Sequence, residues 1–498
     1  MAVLQRLQAW FATRGEGEVY LVGGVVRDAL LGRPTHDVDI VVAGDALALA
    51  RALAHDLPGT FVPLDEGMGI ARVVWRGEGG RWEIDLAPLQ GETLEQDLAR
   101  RDFTVDAMAV PLGAAQGEPA HWPLIDPFGG RRDLAGRLLR AVSPRAFQDD
   151  PLRLLRAVRL VAQLGFTLDG EAAALIRRDA PLLPRASPER LRDEALRILA
   201  LPGVTRHLLL ADDLGLLCRL IPELEAGKGV SQPPEHAYDV FRHNVETPGQ
   251  LERILSPQER TGDPLLAAVP WQEGLEAYFS EEVGDGQTRA TLLKMACLLH
   301  DIAKPACRTV EPGGRIRFLG HHTLGAEMAE AILRRLRCSG KSIALVCTAV
   351  RYHLRPAHLA PKGALPTPRA LYRYFRDTGR EGIGILYLAM ADFLAARGPE
   401  LPPGEWQDYC SLMGYALREG ARQPPPHSLP KVIDGHDIME AFRLPPGPHL
   451  RPLLEAVREA QATGVVRTRE EALEMVARLL GGGVPPPPPE GVQEGEGE

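Results

Sequence analysis

The sequence predicts an α+β protein: a small mixed sheet in an N-terminal head, then helices for the rest of the chain. Two observations carry this. Up to residue 142, "VYLVGG", "DVDIVVAG", "ARVVWRG", "RWEIDLA" and "FTVDAMAVPL" read as short strands, with helical stretches between them. Beyond that point strands fade, and apolar residues recur at helical spacing through Leu480. At 498 residues, 45% apolar and 25% charged, the chain is long enough for several domains of ordinary globular composition.

Within the head, "LVGG" reads as a buried strand ending in Gly23-Gly24, and "VVRDALLG" as a helix closed by Gly32. Glycines at a strand-to-helix turn let backbone N–H groups approach a phosphate, and the helix N-terminus adds the positive end of its dipole. Arg27, one turn in, is placed to pair with Asp28 or to reach a phosphate. Asp37 and Asp39 follow within an apolar run. Alternate residues of a strand share a face, so the two carboxylates stand together. Like charges that close call for a cation, and oxygen ligands suit Mg²⁺.

Further along, "DDPLRLLRAVRLVAQLG" reads as an amphipathic helix that opens on acids and closes on Gly165. Ser187 before Pro188 predicts the start of another helix. Residues 256–288 read as a loop or insertion, and the end, "GGGVPPPPPEGVQEGEGE", as a disordered acidic tail.

The net charge is −9, yet residues 131–206 carry 15 Arg against nine acids, a local basic field that steers a polyanion. Only six cations are Lys, none before Lys228, and Arg is the better bidentate reader of phosphate and base. Six cysteines without C-x-x-C spacing predict reduced thiols and a cytoplasmic setting. No apolar run approaches the about 20 residues of a membrane span, so no membrane partner is expected.

At "RRDFTVDAMAV" the pattern becomes specific. With the opening stretch it resembles the class II tRNA nucleotidyltransferases, the CCA-adding enzymes and their relatives the bacterial poly(A) polymerases. The first motif matches Gly23, Gly24, Arg27, Asp28, Asp37 and Asp39; the second matches Arg100, Arg101, Asp102, Phe103 and Thr104, with Asp106 in place of the usual Asn. "DPFGGRRDLAGRLLRAV" resembles the third motif and "SPERLRDEALRIL" the last. The Glu-Asp-x-x-Arg base-reading motif stands as Asp149-Asp150-Pro151-Leu152-Arg153, its first acid shortened.

The resemblance implies two-metal nucleotidyl transfer to an RNA 3′-OH, with Mg²⁺ on Asp37 and Asp39 and a third carboxylate, Asp85, from a neighbouring strand. Gly23, Gly24, Arg27, Arg101, Asp102, Asp150, Arg153 and Arg156 are the implied nucleotide-binding residues. Asp150 and Arg153, three apart on a helix, are expected to share a face, where acceptor and donor fork mimic a complementary base edge. The implied partners are tRNA, CTP and ATP, not DNA. A poly(A) polymerase is the competing enzyme; an RNA-binding protein whose only enzyme lies downstream is a third reading.

Downstream, His243, His300-Asp301 and Asp392, with His321 and His353, resemble the HD metal-dependent phosphohydrolases and their extra histidines. Imidazole plus carboxylate suits Mn, Ni, Co, Fe or Zn. That resemblance implies phosphatase or 2′,3′-cyclic phosphodiesterase chemistry, although His322 stands where relatives often have an acid. The expected domains are a catalytic head (1–142), a helical neck (143–205), an HD domain (206–400), a helical tRNA-binding tail (401–480) and the disordered end (481–498). Between Asp85 and the second motif only "APLQG" is left as connection, too short for a mobile lever. In family members that add the terminal A, a flexible loop in this interval helps the site switch from CTP to ATP. The short connection here resembles the CC-adding branch, so addition of CC is expected, with full CCA addition and then A-only addition as the alternatives.

Overall fold

The structure is a computed structural model that describes residues 2–14, 17–77, 79–361, 363–422 and 430–481. Apart from Gly481, the expected disordered end lies outside the described residues. The chain divides into two compact units, Met1–Leu201 with Arg206–Pro222, and Pro202–Thr205 with Glu223–Glu498.

The first unit is built on a six-stranded mixed sheet: β1 (Val19–Val22), β2 (Asp37–Val42), β3 (Thr60–Asp65), β4 (Ile70–Gly77), β5 (Gly80–Pro88) and β6 (Ala109–Pro111), in the order β3-β4-β5-β2-β1-β6. Only β2 and β5 pair in parallel; Asp37 lies opposite Glu83 and Asp39 opposite Asp85. One face of the sheet is buried through Val38, Ile40, Ile84, Leu86 and Val73. The odd-numbered acids of β2 and β5 therefore share the other face.

The expected strand "FTVDAMAVPL" is a strand only over Ala109–Pro111; Thr104–Asp106 is a 3₁₀ turn. That turn docks against the third motif, because Thr104 Oγ1 donates to the buried Asp133 at 2.8 Å. Gly130 permits the approach: a Cβ there would fall 2.2 Å from the Thr104 carbonyl oxygen. β3 was not expected, since almost all its residues are exposed and no alternation marks it.

Helix α1 (Gly24–Leu30) follows the glycine turn directly. In the neck, α2 (Arg153–Leu164) starts four residues later than expected, with Asp150 outside it in an extended conformation. Pro151 explains this, since the residue before proline is pushed out of the helical region. Helix α3 (Pro188–Ala200) begins at the expected Ser187-Pro188, though the Ser187 side chain makes no capping bond.

The second unit is helical. Helices α4 (Val240–Leu255), α5 (Arg289–Leu299), α6 (His321–Arg335), α7 (Gly340–Tyr352) and α8 (Gly382–Arg397) pack together. Residues 256–288 are not a loop. They form two short helices, Pro257–Gly262 and Leu275–Ser280, a 3₁₀ turn and a hairpin. The segment packs by its aromatics: the Arg260 guanidinium lies 3.5 Å from the Trp271 ring centroid, and Tyr387 donates to the Pro270 carbonyl. Three helices, Gly435–Phe442, Leu450–Ala462 and Arg469–Gly481, close around a separate apolar cluster of Ile438, Leu453, Val457 and Val476.

Candidate nucleotidyltransferase and HD metal sites

Gly23 (φ 70°) turns the chain from β1 into α1, and a Cβ there would meet Arg101 Nη1 at 2.8 Å and Asp39 Oδ2 at 3.4 Å. The glycine is thus required twice, for its left-handed conformation and for this approach. Asp39 and Arg101 flank the turn, which puts a carboxylate and a guanidinium at the start of one helix. Burial, then the Asp85 and Asp106 carboxylates against Arg101 and Arg156, pushes the Asp39 carboxyl up to about 6. Asp37 lies at the more open end of the strand and is also raised, by partial desolvation of its carboxylate first and by Glu83 next. Burial and the neighbouring acids of β5 thus disfavour charge on both carboxyls, which a divalent cation bound there would offset.

Asp85 faces this pair, but its two oxygens accept from Arg72, Nε at 2.7 Å and Nη2 at 2.9 Å. Arg72 Nη1 also holds Glu83, a fourth acid on the face. Sequence reasoning missed Glu83 and Arg72; their strand parity, matched to Asp85 across the Gly77–Gly80 hairpin, was the available signal.

Arg27 does not point free into the site. It is buried and pairs with Asp28 at 2.9 Å and Asp106 at 2.6 Å. Asp106, the departure from the family's Asn, thus answers a buried charge. Asp106→Ala should cost about 3 kcal/mol, the lower end for a broken buried pair since Asp28 remains. Equilibrium unfolding in urea, with a head-specific probe, measures it.

Arg101 keeps a buried Nε without a partner, while its Nη2 donates to Asp97 at 3.3 Å. Its Nη1 stands beside the Gly23 turn, so Arg101 is a cation of the second motif placed at that turn. Asp102 is buried and accepts from Arg156 Nε at 2.8 Å and from the Phe103 N–H at 3.0 Å. Asp102 and Arg156 therefore tie the second motif to the neck.

The base-reading pair is arranged differently from expectation. Asp150 is held by Arg190 Nη2 at 2.7 Å, whereas Arg153 donates to the carbonyls of Ala146 at 3.0 Å and Arg100 at 2.6 Å. The two do not share a helix face, because Asp150 precedes the helix. Arg153 is instead clamped between neck and second motif. If it also reads the base edge, Arg153→Ala loses about 1–3 kcal/mol of discrimination among nucleotides. CTP-over-UTP incorporation ratios measure this; an unchanged ratio leaves Arg153 as a structural clamp.

In the second unit five helices, α4 to α8, bring the expected ligands together. His243, His300, Asp301 and Asp392 form one group of donor atoms within 4.8 Å of one another, and Asp301, His321 and His353 another. Asp301 is common to both. His243 Nε2 lies 3.0 Å from Asp392 and 3.4 Å from Asp301; His321 Nε2 lies 3.2 Å from Asp301. His300, His321 and His353 each direct Nδ1 at a backbone carbonyl, of Cys297, Phe318 and Val350, at 2.6–2.7 Å. That leaves each Nε2 turned inward, the arrangement by which proteins orient metal-binding imidazoles.

Asp301 Oδ1 is buried and makes no hydrogen bond, although His321 Nε2 lies 3.2 Å away, and an acceptor so placed between imidazole nitrogens fits a cation. The donor set of nitrogen and oxygen suits a transition metal. Burial opposes charge on His300, but Asp301 and Asp392 outweigh it and lift it to about 10; burial draws His353 down to about 4.

A glycine turn joined to an acidic strand pair defines a nucleotidyltransferase head, and the imidazole–carboxylate cluster defines an HD domain. The comparisons agree in that order. Residues 19–140 match the family model of the poly A polymerase head domain, 165–228 that of the probable RNA and SrmB-binding site of polymerase A, and 274–384 the HD domain.

The chain is 36% identical to an A-adding tRNA nucleotidyltransferase of Deinococcus radiodurans, over 92% of this chain and 94% of that one. It is 35% identical to a CC-adding tRNA nucleotidyltransferase of Geobacter sulfurreducens, over 96% and 95%. The fold is similar to that of a Thermotoga maritima CCA-adding enzyme complexed with tRNA, with TM-score 0.57, 22% identity and coverage of 96% and 95%. The chain belongs to the tRNA nucleotidyltransferases. Its head and HD domain imply the use of divalent metals, and among the described residues no helix is long and apolar enough to cross a membrane.

Proposed function

We propose that this tRNA nucleotidyltransferase adds CC to tRNA 3′ ends from CTP and leaves the terminal A to a separate enzyme. The observation that carries the proposal is the connection between β5 and the helix Leu94–Ala99. It spans only residues 89–93, two positions later than the sequence indicated but of the same length. It is also tethered: Leu89 N–H bonds the Val42 carbonyl at 3.0 Å, Gln90 N–H the Asp97 carboxylate at 3.1 Å, and Glu92 N–H the Gln96 side chain at 2.8 Å. A five-residue segment bonded along its length turns the chain and leaves no lever to re-aim the site from CTP to ATP. Both A-adding and CC-adding relatives match at similar identity, so the support for CC addition comes from this local feature.

In this reading Asp37, Asp39 and Asp85 hold Mg²⁺, which supplies Lewis acidity to the attacking and leaving oxygens. Arg101 and the N-terminus of α1 bind the triphosphate. Asp102 and Arg156 fix the neck against the second motif, and Asp150 and Arg153 lie at the base-reading junction. The Arg-rich neck receives the tRNA 3′ end and the C-terminal helices the tRNA body, in the cytoplasm. The HD cluster binds Mn, Ni, Co, Fe or Zn on His243, His300, Asp301 and Asp392, with His321 and His353 completing a second position. It hydrolyses phosphoesters, as a phosphatase or a 2′,3′-cyclic phosphodiesterase.

Extension of tRNA lacking its CCA end with each nucleotide supplied alone, and of tRNA already ending in CC with ATP, tests the proposal. Two residues added from CTP, and no A added to the CC end, are expected; efficient addition of that A would overturn the proposal. Long tails from ATP alone would make the chain a poly(A) polymerase.

A further inference from the structure

On the acidic face of the sheet, Asp39 of β2, Asp85 of β5 and Arg72 of β4 stand in one cross-strand row, since Asp39 pairs with Asp85 and Asp85 with Arg72. The Arg72 fork meets both oxygens of Asp85, at 2.7 and 2.9 Å, and its remaining nitrogen takes Glu83. Glu83 is held a second time, by Arg81 at 2.8 Å. Arg72 is partly buried, with a third of its side chain exposed.

We infer that Arg72 is a positioning residue for nucleotidyl transfer, acting through Asp85. A carboxylate has about four lone-pair sites on its two oxygens. A planar guanidinium that donates to both oxygens occupies one site on each and fixes the plane of the group. The remaining lone pairs stay open to a cation shared with Asp39. The same fork keeps Glu83 drawn to its own side of the face, so that four neighbouring acids do not compete for one ion. A point charge cannot do this, because an ammonium has no fixed fork.

The inference rests on the reading of Asp85 as the third carboxylate, and the test separates the two. Arg72→Lys keeps the charge and loses the fork. It is expected to lower the rate of CTP incorporation about 10–100-fold, as for lost partners of metal-binding carboxylates, with the KM for CTP shifted less than about threefold. Mn²⁺ affinity of the head, read by electron paramagnetic resonance as the binding that Asp39→Asn lacks and so apart from the HD cluster, should weaken in parallel. Arg72→Gln, which keeps an amide donor, should fall at least as far, and thermal unfolding checks that both variants are folded.

In an Asp85→Asn background, adding Arg72→Lys should change neither Mn²⁺ affinity nor residual rate beyond about twofold. Wild-type activity in Asp85→Asn alone would remove the third carboxylate itself. Loss in Asp85→Asn with wild-type rate and Mn²⁺ binding in Arg72→Lys, or additive losses in the double variant, would overturn the role of Arg72.

Discussion

Replacing Asp39 by asparagine is expected to lower nucleotide addition by at least about a thousandfold while leaving the metal content of the HD cluster unchanged. The Lewis-acid contribution of a catalytic metal is several kcal/mol, and each 1.36 kcal/mol is tenfold in rate. The proposed metal role places that contribution at Asp39, which lies against the Gly23 turn, beside Arg101 and opposite Asp85. Asparagine keeps the shape and removes the charge, so the fold should persist. The raised Asp39 carboxyl also means that the variant removes a strained charge, and unfolding temperature should hold or rise. Initial rates of CTP incorporation at equal Mg²⁺ measure the effect. Asp37→Ala should behave alike in rate, and wild-type incorporation in either would refute the metal role.

The second large effect concerns Asp301. Because it belongs to both imidazole groups, Asp301→Asn should empty both metal positions, whereas His353→Ala should empty one. His300→Ala should lose the position shared with His243 and Asp392. Elemental analysis of the purified proteins reads the stoichiometry, and hydrolysis of small phosphoesters should vanish in the Asp301 and His300 variants. CTP addition should stay within about twofold, since the two sites lie in different units of the chain. Equal transition metal in wild type and Asp301→Asn would remove the proposed site. Asp301 also pairs with Lys304 at 2.6 Å, so the variant leaves a buried ammonium. Some loss of stability is expected in the HD region and none in the head.

The residues legible in the sequence are those whose chemistry is local. Asp37 and Asp39 announce a shared strand face by spacing alone, and Gly23-Gly24 announces a turn at a helix start. His300 and Asp301 are adjacent, and burial then draws His243, His321, His353 and Asp392 around them. Less legible was whatever depends on a partner distant in sequence or on one backbone detail. Arg27 pairs with Asp106 across 79 positions, and the substitution of aspartate for the usual asparagine was the sign of it. Pro151 ejects Asp150 from the helix and hands its carboxylate to Arg190. Arg72 belongs to a strand whose apolar alternation drew attention to its valines instead. β3 lacked a signal altogether, because a strand exposed along most of its length carries no apolar period.

In the proposed reading the short, tethered segment 89–93 confines the head to CTP. Incubating the protein with CTP and ATP together on tRNA lacking its CCA end, then sequencing the 3′ ends, tests this. Ends that finish in CC and gain no A while ATP is in excess are expected; efficient formation of CCA ends would contradict the proposal.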